Sequence, residues 1–283
     1  RRPARSTRLY SSAASDVYKR QVVVVVLVVD VVVVVVVVVV DVDVEVEKQN
    51  KNNDDNKYYK EDKRRKTYAA MVSAVDDGVG RILDQLESLE IVDNTIVFFF
   101  SDNGGPESKN GSCNGPLREG KSSIYEGGNR VPFAMQWTGE ISQMVYDYPI
   151  SSLDILPTIA ELTNAPIEAK NPLDGVNIIP FLKGLKRGRP HNTLYVRKFD
   201  NDLYSIRDGD MKLVTKEKNT IKELYNLDQD IGEENNLADF FPKEVQRLDS
   251  ILQAWDSQLI DPIFLGLIHT ERWRKRLNQK PQK

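Results

Sequence analysis

This sequence has little cysteine, little histidine and only a small excess of one sign of charge over the other. Its 283 residues include one cysteine, Cys113, and two histidines, His191 and His269. A single cysteine excludes an internal disulfide, but it gives no information on redox compartment because secreted enzymes of this size can also lack one. Acidic and basic residues nearly balance, with a formal net charge of −3. Composition therefore gives no reason to expect a nucleic acid or an anionic membrane as partner.

Residues 1–66 differ in composition from the rest of the chain. Residues 22–40 are valine with two exceptions, and residues 41–47 alternate valine with aspartate or glutamate. Valine codons have the form GTN and those of the two acids GAN, so this stretch resembles a translated nucleotide repeat. Residues 48–66 have the Asn, Asp and Lys content of a disordered tract. We therefore interpret residues 1–66 as a low-complexity segment that is non-native or disordered.

A transmembrane helix is the alternative interpretation of the valine run, which is nearly long enough to cross a bilayer. Asp30 lies near its centre and would cost about 3 kcal/mol on insertion. The sequence therefore favours no genuine membrane span. If the run is ordered, we expect it to pair only loosely with a sheet, because valine combines strong β-propensity with a tendency to aggregate. In residues 1–21 the basic start is not followed by the apolar region and the small-residue cleavage site of a signal peptide. The location of the protein is therefore left open.

Regular patterning begins at Thr67. Apolar residues recur at helical spacing from Met71 to Leu89, and residues 95–100 (TIVFFF) form a continuous apolar run. Such a run after an amphipathic helix is typical of a strand covered on both faces of a sheet. The order of helix and strand therefore predicts an α/β sheet, and the polar residues that follow lie where such sheets place their ligands.

Two polar segments carry the candidate chemistry. Asp102 and Asn103, in SDNGGP, offer a carboxylate and an amide oxygen to a hard divalent cation, although an Asn-Gly turn explains the same letters. Residues 120–132 (GKSSIYEGGNRVP) form a glycine-rich loop that carries one lysine, one glutamate and one arginine. That layout suits an anion, although charged residues on a loop are often only solvated.

Together the two segments resemble the sulfatase family of the alkaline-phosphatase-like superfamily. The short strand that follows them (VPFAMQW) is part of the resemblance, and further segments match in the same order: SLDILPTI at 152–159, LDGV at 173–176, LYNL at 224–227 and ENNL at 234–237. The resemblance covers about residues 67–277 and implies the C-terminal half of such an enzyme.

The expected fold class is α/β, with two domains after the low-complexity segment. Residues 67–190 are expected to form a truncated alkaline-phosphatase-like sheet with helices on both faces. Residues 191–283 are expected to form a small α+β C-terminal domain with an antiparallel sheet, since four short strands between 193 and 227 precede an amphipathic helix over 240–259.

The resemblance also implies a site. In sulfatases a calcium ion, or magnesium, is held by an Asp-Asn pair that corresponds to Asp102 and Asn103, and the lysine that corresponds to Lys121 contacts the sulfate. We expect these three side-chain tips to lie within roughly 8 Å of one another, because metal and ammonium must reach one small anion. Glu126 and Arg130 are expected to brace the loop. The implied substrate is a sulfated carbohydrate or an aryl sulfate.

The family's nucleophile, a formylglycine made from Cys or Ser in C/S-x-P-S/A-R, has no counterpart in this sequence. Cys113 stands at the wrong spacing, and we expect Asp154 to be structural and both histidines to lie at the surface. The chain as printed is therefore expected to be inactive. A phosphodiesterase or phosphonate hydrolase of the same superfamily and a non-catalytic fragment are the alternatives.

Overall fold

The computed structural model describes the backbone of two valine segments and then residues 55–260, apart from 168–171 and 218; side chains are described from Lys63 onward, except at residue 200. The elements, in chain order, are β1 (Val22–Val29), β2 (Val32–Val39), α1 (Asp55–Ser88), β3 (Thr95–Ser101), α2 (Glu107–Asn110), α3 (Glu126–Asn129), β4 (Phe133–Trp137), α4 (Ile155–Leu162), α5 (Ile179–Leu182), β5 (Thr193–Lys198), β6 (Leu203–Asp208), β7 (Met211–Lys216), β8 (Ile221–Asn226) and α6 (Pro242–Asp256).

The chain divides into two compact units. The first contains the residues up to Asn114 and Arg130–His191, and the second contains Gly115–Asn129 and the residues from Asn192 onward. The second unit therefore contains the predicted C-terminal domain and also the segment that carries Lys121.

The first unit contains a mixed sheet with the strand order β1-β2-β3-β4. The two valine strands form an antiparallel hairpin, and β2 pairs in parallel with β3, with Val33 opposite Thr95 and Val39 opposite Ser101. On its other side β3 pairs antiparallel with β4. Because β3 is an interior strand, its backbone groups are paired on both sides and its carboxyl end lies within the sheet rather than at its margin.

Helices cover both faces of β3, as the apolar run TIVFFF predicts. Ile96 and Phe98 are fully buried on the face that carries α4, where they pack with partly buried side chains of β3, β4 and α4, including Phe100, Phe133, Met135, Ile155, Ile159 and Leu162. Val97 points to the opposite face and packs in a cluster with Leu86 of α1. Between Thr95 and Ser101 the strand contains only apolar residues, as this two-sided burial requires.

The second unit contains the antiparallel sheet β5-β6-β7-β8. One face packs on α6, where Ile206, Leu213 and Leu224 contact Leu248 and Leu252. The opposite face packs on the 115–129 segment through a second buried cluster that comprises Ile124, Tyr125, Val214, Tyr225 and Leu227. The prediction of an α/β fold followed by a small α+β domain with an antiparallel sheet is confirmed.

The observed helix α1 begins at Asp55, twelve residues before Thr67, where the regular pattern starts. Residues 55–66 are rich in lysine and arginine, which lose little rotamer freedom in a helix, so α1 can extend through them. Within the part of the chain that the structure describes, no helix is both long and apolar enough to cross a membrane. The expectations for residues 1–21 and for His269 lie outside the described residues.

Candidate active site

Asp102 and Asn103 follow β3 directly, at the carboxyl end of an interior strand. The Asp102 side chain is exposed, and its Oδ1 accepts a hydrogen bond of 2.9 Å from the Asn103 backbone N–H. The Asn103 Nδ2 donates to the Gly104 carbonyl at 3.0 Å, and the Ser101 hydroxyl donates to the Asn103 carbonyl at 2.9 Å. Because its amide nitrogen holds Gly104, the Asn103 side chain presents its oxygen as the atom for a ligand.

The loop after these residues is fixed by reciprocal hydrogen bonds. The Gly105 N–H donates to Asn114 Oδ1 and the Asn114 Nδ2 donates to the Gly105 carbonyl, both at 2.8 Å. A Cβ atom at Gly105 would overlap the Ser112 side chain, so the close approach of these two loop segments requires a glycine. The polar end of β3 is therefore rigidly supported from within the first unit.

The chemistry of Asp102 and Asn103 fits a hard cation. A carboxylate oxygen and an amide oxygen are ligands that Ca²⁺ and Mg²⁺ prefer, and Ca²⁺ takes about six to eight oxygens in all. Among the described residues no group of three or more His, Cys, Asp or Glu side chains comes together as a metal site. The pair therefore supplies ligands of the right kind for part of a metal centre.

Lys121 lies in the second unit, where it occupies an exposed turn. Glu119 and Ser122 on either side have positive φ angles of 60° and 70°, which sharpen the turn. The Ser123 N–H donates to the Gly120 carbonyl at 3.0 Å, and the Ser123 hydroxyl donates to Glu119 Oε2 at 2.6 Å. The lysine is thus presented from a turn whose backbone is closed on itself.

Two glycines bring the end of this loop onto its beginning. The Gly127 N–H donates to the Arg118 carbonyl at 2.9 Å. A Cβ atom at Gly127 would collide with the Arg118 and Glu119 carbonyls, and one at Gly128 would collide with the Ser123 carbonyl. The Glu-Gly-Gly sequence is therefore needed because the first turn of α3 packs directly on backbone atoms of the turn that carries Lys121.

This contact makes a first prediction. We expect Gly127→Ala to lower the free energy of unfolding by about 1–3 kcal/mol, because the added methyl group meets backbone that has no flexible side chain to move away. Gly80→Ala is the control: it lies in α1 with nothing within 4 Å of its Cβ, so we expect a gain of up to about 1 kcal/mol. Urea denaturation measures both, and equal stability of the two variants would contradict the packing argument.

Behind the loop, one ammonium lies between two carboxylates in the interior of the second unit. Lys212 Nζ is 2.9 Å from Glu126 Oε1 and 2.8 Å from Glu233 Oε1, and the Glu126 N–H donates to Glu233 Oε2 at 2.7 Å. All three residues are buried. Burial raises the pKa of Glu233, and the charge of Lys212 counters this only in part. Glu126 thus braces the loop, as expected, and its partners include Lys212 and Glu233.

A second cluster holds the start of the loop. The Arg118 guanidinium lies 3.9 Å from the centre of the Tyr125 ring and donates to the Tyr225 hydroxyl at 2.9 Å and to the Glu233 carbonyl at 2.8 Å. Both tyrosine hydroxyls donate to Glu223. Burial, together with these hydrogen bonds to Glu223, raises the pKa of both tyrosines above its ordinary value. The tyrosines therefore stay neutral and act as donors.

Asp154, in the first unit, is structural, as the sequence predicts. It is fully buried, and it accepts hydrogen bonds of 2.8 Å from the backbone N–H groups of Ser151 and Val176. The expectation for His191 is wrong. Its side chain is only 9% exposed, with Nε2 2.7 Å from Asp154 Oδ1, so it adds a third polar partner to a buried carboxylate that two backbone N–H groups already bind. Cys113 is an exposed free thiol.

The buried ion pair between Lys212 and Glu126 is a contact that the sequence patterns do not predict. Lys212 stands in a strand among apolar neighbours, and its partner Glu126 is 86 residues away, so neither composition nor spacing signals the pair. Asp102 and Asn103 belong to the first unit and Lys121 to the second, and their joint action is part of the proposal below.

Residues 40–165 match the sulfatase family model. The uncharacterized sulfatase YdeN of Escherichia coli (strain K12) is 31% identical over 224 residues, which are 66% of this chain and 40% of YdeN. Steryl-sulfatase of Mus musculus is 36% identical over 136 residues, 45% of this chain and 22% of that protein.

A solved structure agrees with these relatives. The crystal structure of Ps i-CgsB in complex with k-i-k-neocarrahexaose superposes with a TM-score of 0.67 at 33% identity, over 77% of this chain and 49% of that one. The sequence and the fold of the chain are thus both similar to those of sulfatases. The chain spans less than half the length of the relatives that it matches, which is compatible with the expected C-terminal half.

Proposed function

We propose that this chain is part of a sulfatase, which hydrolyses sulfate esters, R–O–SO3⁻, to an alcohol and sulfate. The observation that carries the proposal is the loop of Lys121: its sequence matches the sulfatase pattern, and hydrogen bonds and buried charges fix its backbone on both sides. A loop that is held so firmly around one exposed lysine suits the recognition of a small anion.

Lys121 would bind a sulfuryl oxygen of the ester. An ammonium is a compact point charge with three donors, so it can follow the oxygen as the S–O bond to the leaving group lengthens and charge develops. Asp102 and Asn103 would hold Ca²⁺ or Mg²⁺, which supplies further neutralisation of the charge on the sulfuryl oxygens. With two ligands from this chain, we expect a calcium affinity in the millimolar range or weaker.

The substrate class is proposed to be a sulfated carbohydrate or an aryl sulfate. Ps i-CgsB, at 33% identity, was crystallised with a neocarrahexaose, which supports the carbohydrate. A titration of the chain with an aryl sulfate and with the matching aryl phosphate, in calcium chloride, tests the proposal. Tighter binding of the sulfate supports a sulfatase, whereas tighter binding of the phosphate favours a phosphodiesterase or phosphonate hydrolase of the same superfamily.

The printed chain is proposed to have no activity by itself. It contains no C/S-x-P-S/A-R sequence, from which the formylglycine of a sulfatase is made, and electrostatic groups alone leave most of the barrier in place. We therefore expect the purified chain to release no phenol from an aryl sulfate above the uncatalysed rate, with or without calcium. Turnover that Lys121→Ala abolishes would contradict this prediction.

A further inference from the structure

Glu233 holds both sides of the Lys121 loop. Its carbonyl accepts a hydrogen bond of 2.8 Å from Arg118, three residues before Lys121. Its carboxylate accepts one of 2.7 Å from the backbone of Glu126, five residues after Lys121. Glu233 adopts a positive φ of 53°, a conformation that side-chain-bearing residues rarely use. The surrounding contacts must therefore hold it in place.

Lys212 completes this arrangement from the sheet. It projects from β7, is 3% exposed, and joins the Glu126 and Glu233 carboxylates with one ammonium group. Arg207 adds a weaker contact, with Nη1 3.9 Å from Glu126 Oε2. Buried charges are seldom the most stable filling for a core, because apolar side chains of similar volume often serve as well or better. A role in fixing the geometry of the loop explains these charges better than stability alone.

We propose that Lys212 and Glu233 are positioning residues that clamp the loop and so fix where Lys121 presents its ammonium. The inference rests on the proposed function for the role of Lys121, but the clamp itself is a property of the second unit. The path from clamp to lysine is short: Glu126 begins α3, the Gly127 N–H bonds to the Arg118 carbonyl, and the intervening turn is closed by Ser123.

The chain offers a matched control for the clamp. Lys222, on the neighbouring strand β8, also forms an ion pair, with Nζ 2.7 Å from Asp249 of α6. This pair lies in the same unit and joins the sheet to α6 rather than to the loop. Lys222→Met therefore removes one lysine and one ion pair from the same sheet without touching the clamp.

The experiment compares Lys212→Met, Lys212→Arg and Lys222→Met in the full chain by backbone hydrogen exchange. We expect Lys212→Met to speed exchange at the Glu126 and Gly127 amides by about tenfold more than at the Ile206 amide in the sheet. Lys222→Met should leave the exchange rates of Glu126 and Gly127, relative to that of Ile206, as they are in the wild type. Lys212→Arg should bring these relative rates most of the way back to the wild-type values. A general loss of stability would raise exchange at all three amides alike.

A second readout reports on Lys121 itself. Inorganic sulfate is expected to slow acetylation of Lys121, measured by mass spectrometry, by about threefold in the wild type and in Lys222→Met. The protection should disappear in Lys212→Met. If sulfate protects Lys121 in no protein, including the wild type, the proposed sulfate contact is wrong, and hydrogen exchange still decides the clamp.

Failure of Lys212→Met to fold is covered by a milder variant. Glu233→Gln keeps the size and the carbonyl acceptor but removes the charge, so we expect about threefold faster exchange at Glu126 and Gly127 relative to Ile206. The proposal is overturned if the relative exchange of these two amides in the folded variant rises no more than it does in Lys222→Met.

Discussion

Asp154→Ala is expected to lower the free energy of unfolding of the first unit by about 3–5 kcal/mol. The carboxylate is fully buried and accepts from two backbone N–H groups, those of Ser151 and Val176. It also lies 2.7 Å from His191 Nε2. Its removal leaves the two N–H groups without their acceptor and His191 without its partner. Urea denaturation followed by the fluorescence of Trp137, with Trp255→Phe and Trp273→Phe together as the background, measures the change.

Glu161→Ala is the control for this experiment. Glu161 is an exposed acid on α4, the helix that follows Asp154, so its removal should change stability by less than about 0.5 kcal/mol. Asp154→Asn should fall between the two, because one amide oxygen can still accept from a backbone N–H. A loss of less than about 1 kcal/mol in Asp154→Ala would show that these hydrogen bonds do not stabilise the contact between the segments of Ser151 and Val176.

Lys121→Ala is expected to weaken binding of an aryl sulfate by about tenfold to a hundredfold, which is the value of one hydrogen bond to a charged group. The side chain is exposed, so the substitution should leave the stability of the second unit within about 0.5 kcal/mol of the wild type. The two effects are thus separable, unlike those of a variant in the buried clamp. Ligand-observed NMR titration in calcium chloride measures the affinity.

Lys243→Ala is the matched control, since Lys243 is an exposed lysine in the first turn of α6, outside the loop. It removes the same charge from the same unit and should bind the aryl sulfate as the wild type does. If Lys121→Ala and Lys243→Ala weaken binding equally, the loss reflects net charge alone, and the specific role of Lys121 is contradicted.

The main elements could be predicted because their patterns are local. The continuous apolar run TIVFFF predicts a strand that is covered on both faces, and α1 and α4 do cover the two faces of β3. In the strands of the second unit, apolar side chains recur at every second residue. Turn residues such as Asp208, Gly209 and Asp210 separate these strands. Local periodicity and turn chemistry therefore suffice for these elements.

The buried polar contacts could not be predicted because their partners are distant in the chain. Lys212 follows the two-residue alternation of a strand, and nothing in that alternation tells a buried lysine with two acidic partners from a solvated one. His191 gives the same lesson, since its burial depends on Asp154, 37 residues earlier. Tertiary placement, and not the letters around each residue, determines these environments.

Similarly, the motifs propose which residues carry the chemistry, but they do not predict how the chain supports those residues. Asp102 and Asn103 are proposed as metal ligands from the sequence SDNGG, whereas the hydrogen bonds between Asn114 and the adjacent Gly105 have no signal in the sequence. The segment that carries Lys121 was expected in the first domain and instead belongs to the second unit, because Ile124 and Tyr125 complete the core on one face of its sheet.

The most direct test of the account is a crystal structure of the chain grown with calcium chloride and sodium selenate, with both atoms located by anomalous scattering. The account predicts calcium on the oxygens of Asp102 and Asn103 and one selenate in contact with Lys121 Nζ. The tips of the three side chains should lie within roughly 8 Å of one another around the anion. Lys121 on the opposite face of the sheet from Asp102, with selenate at neither, would contradict the account.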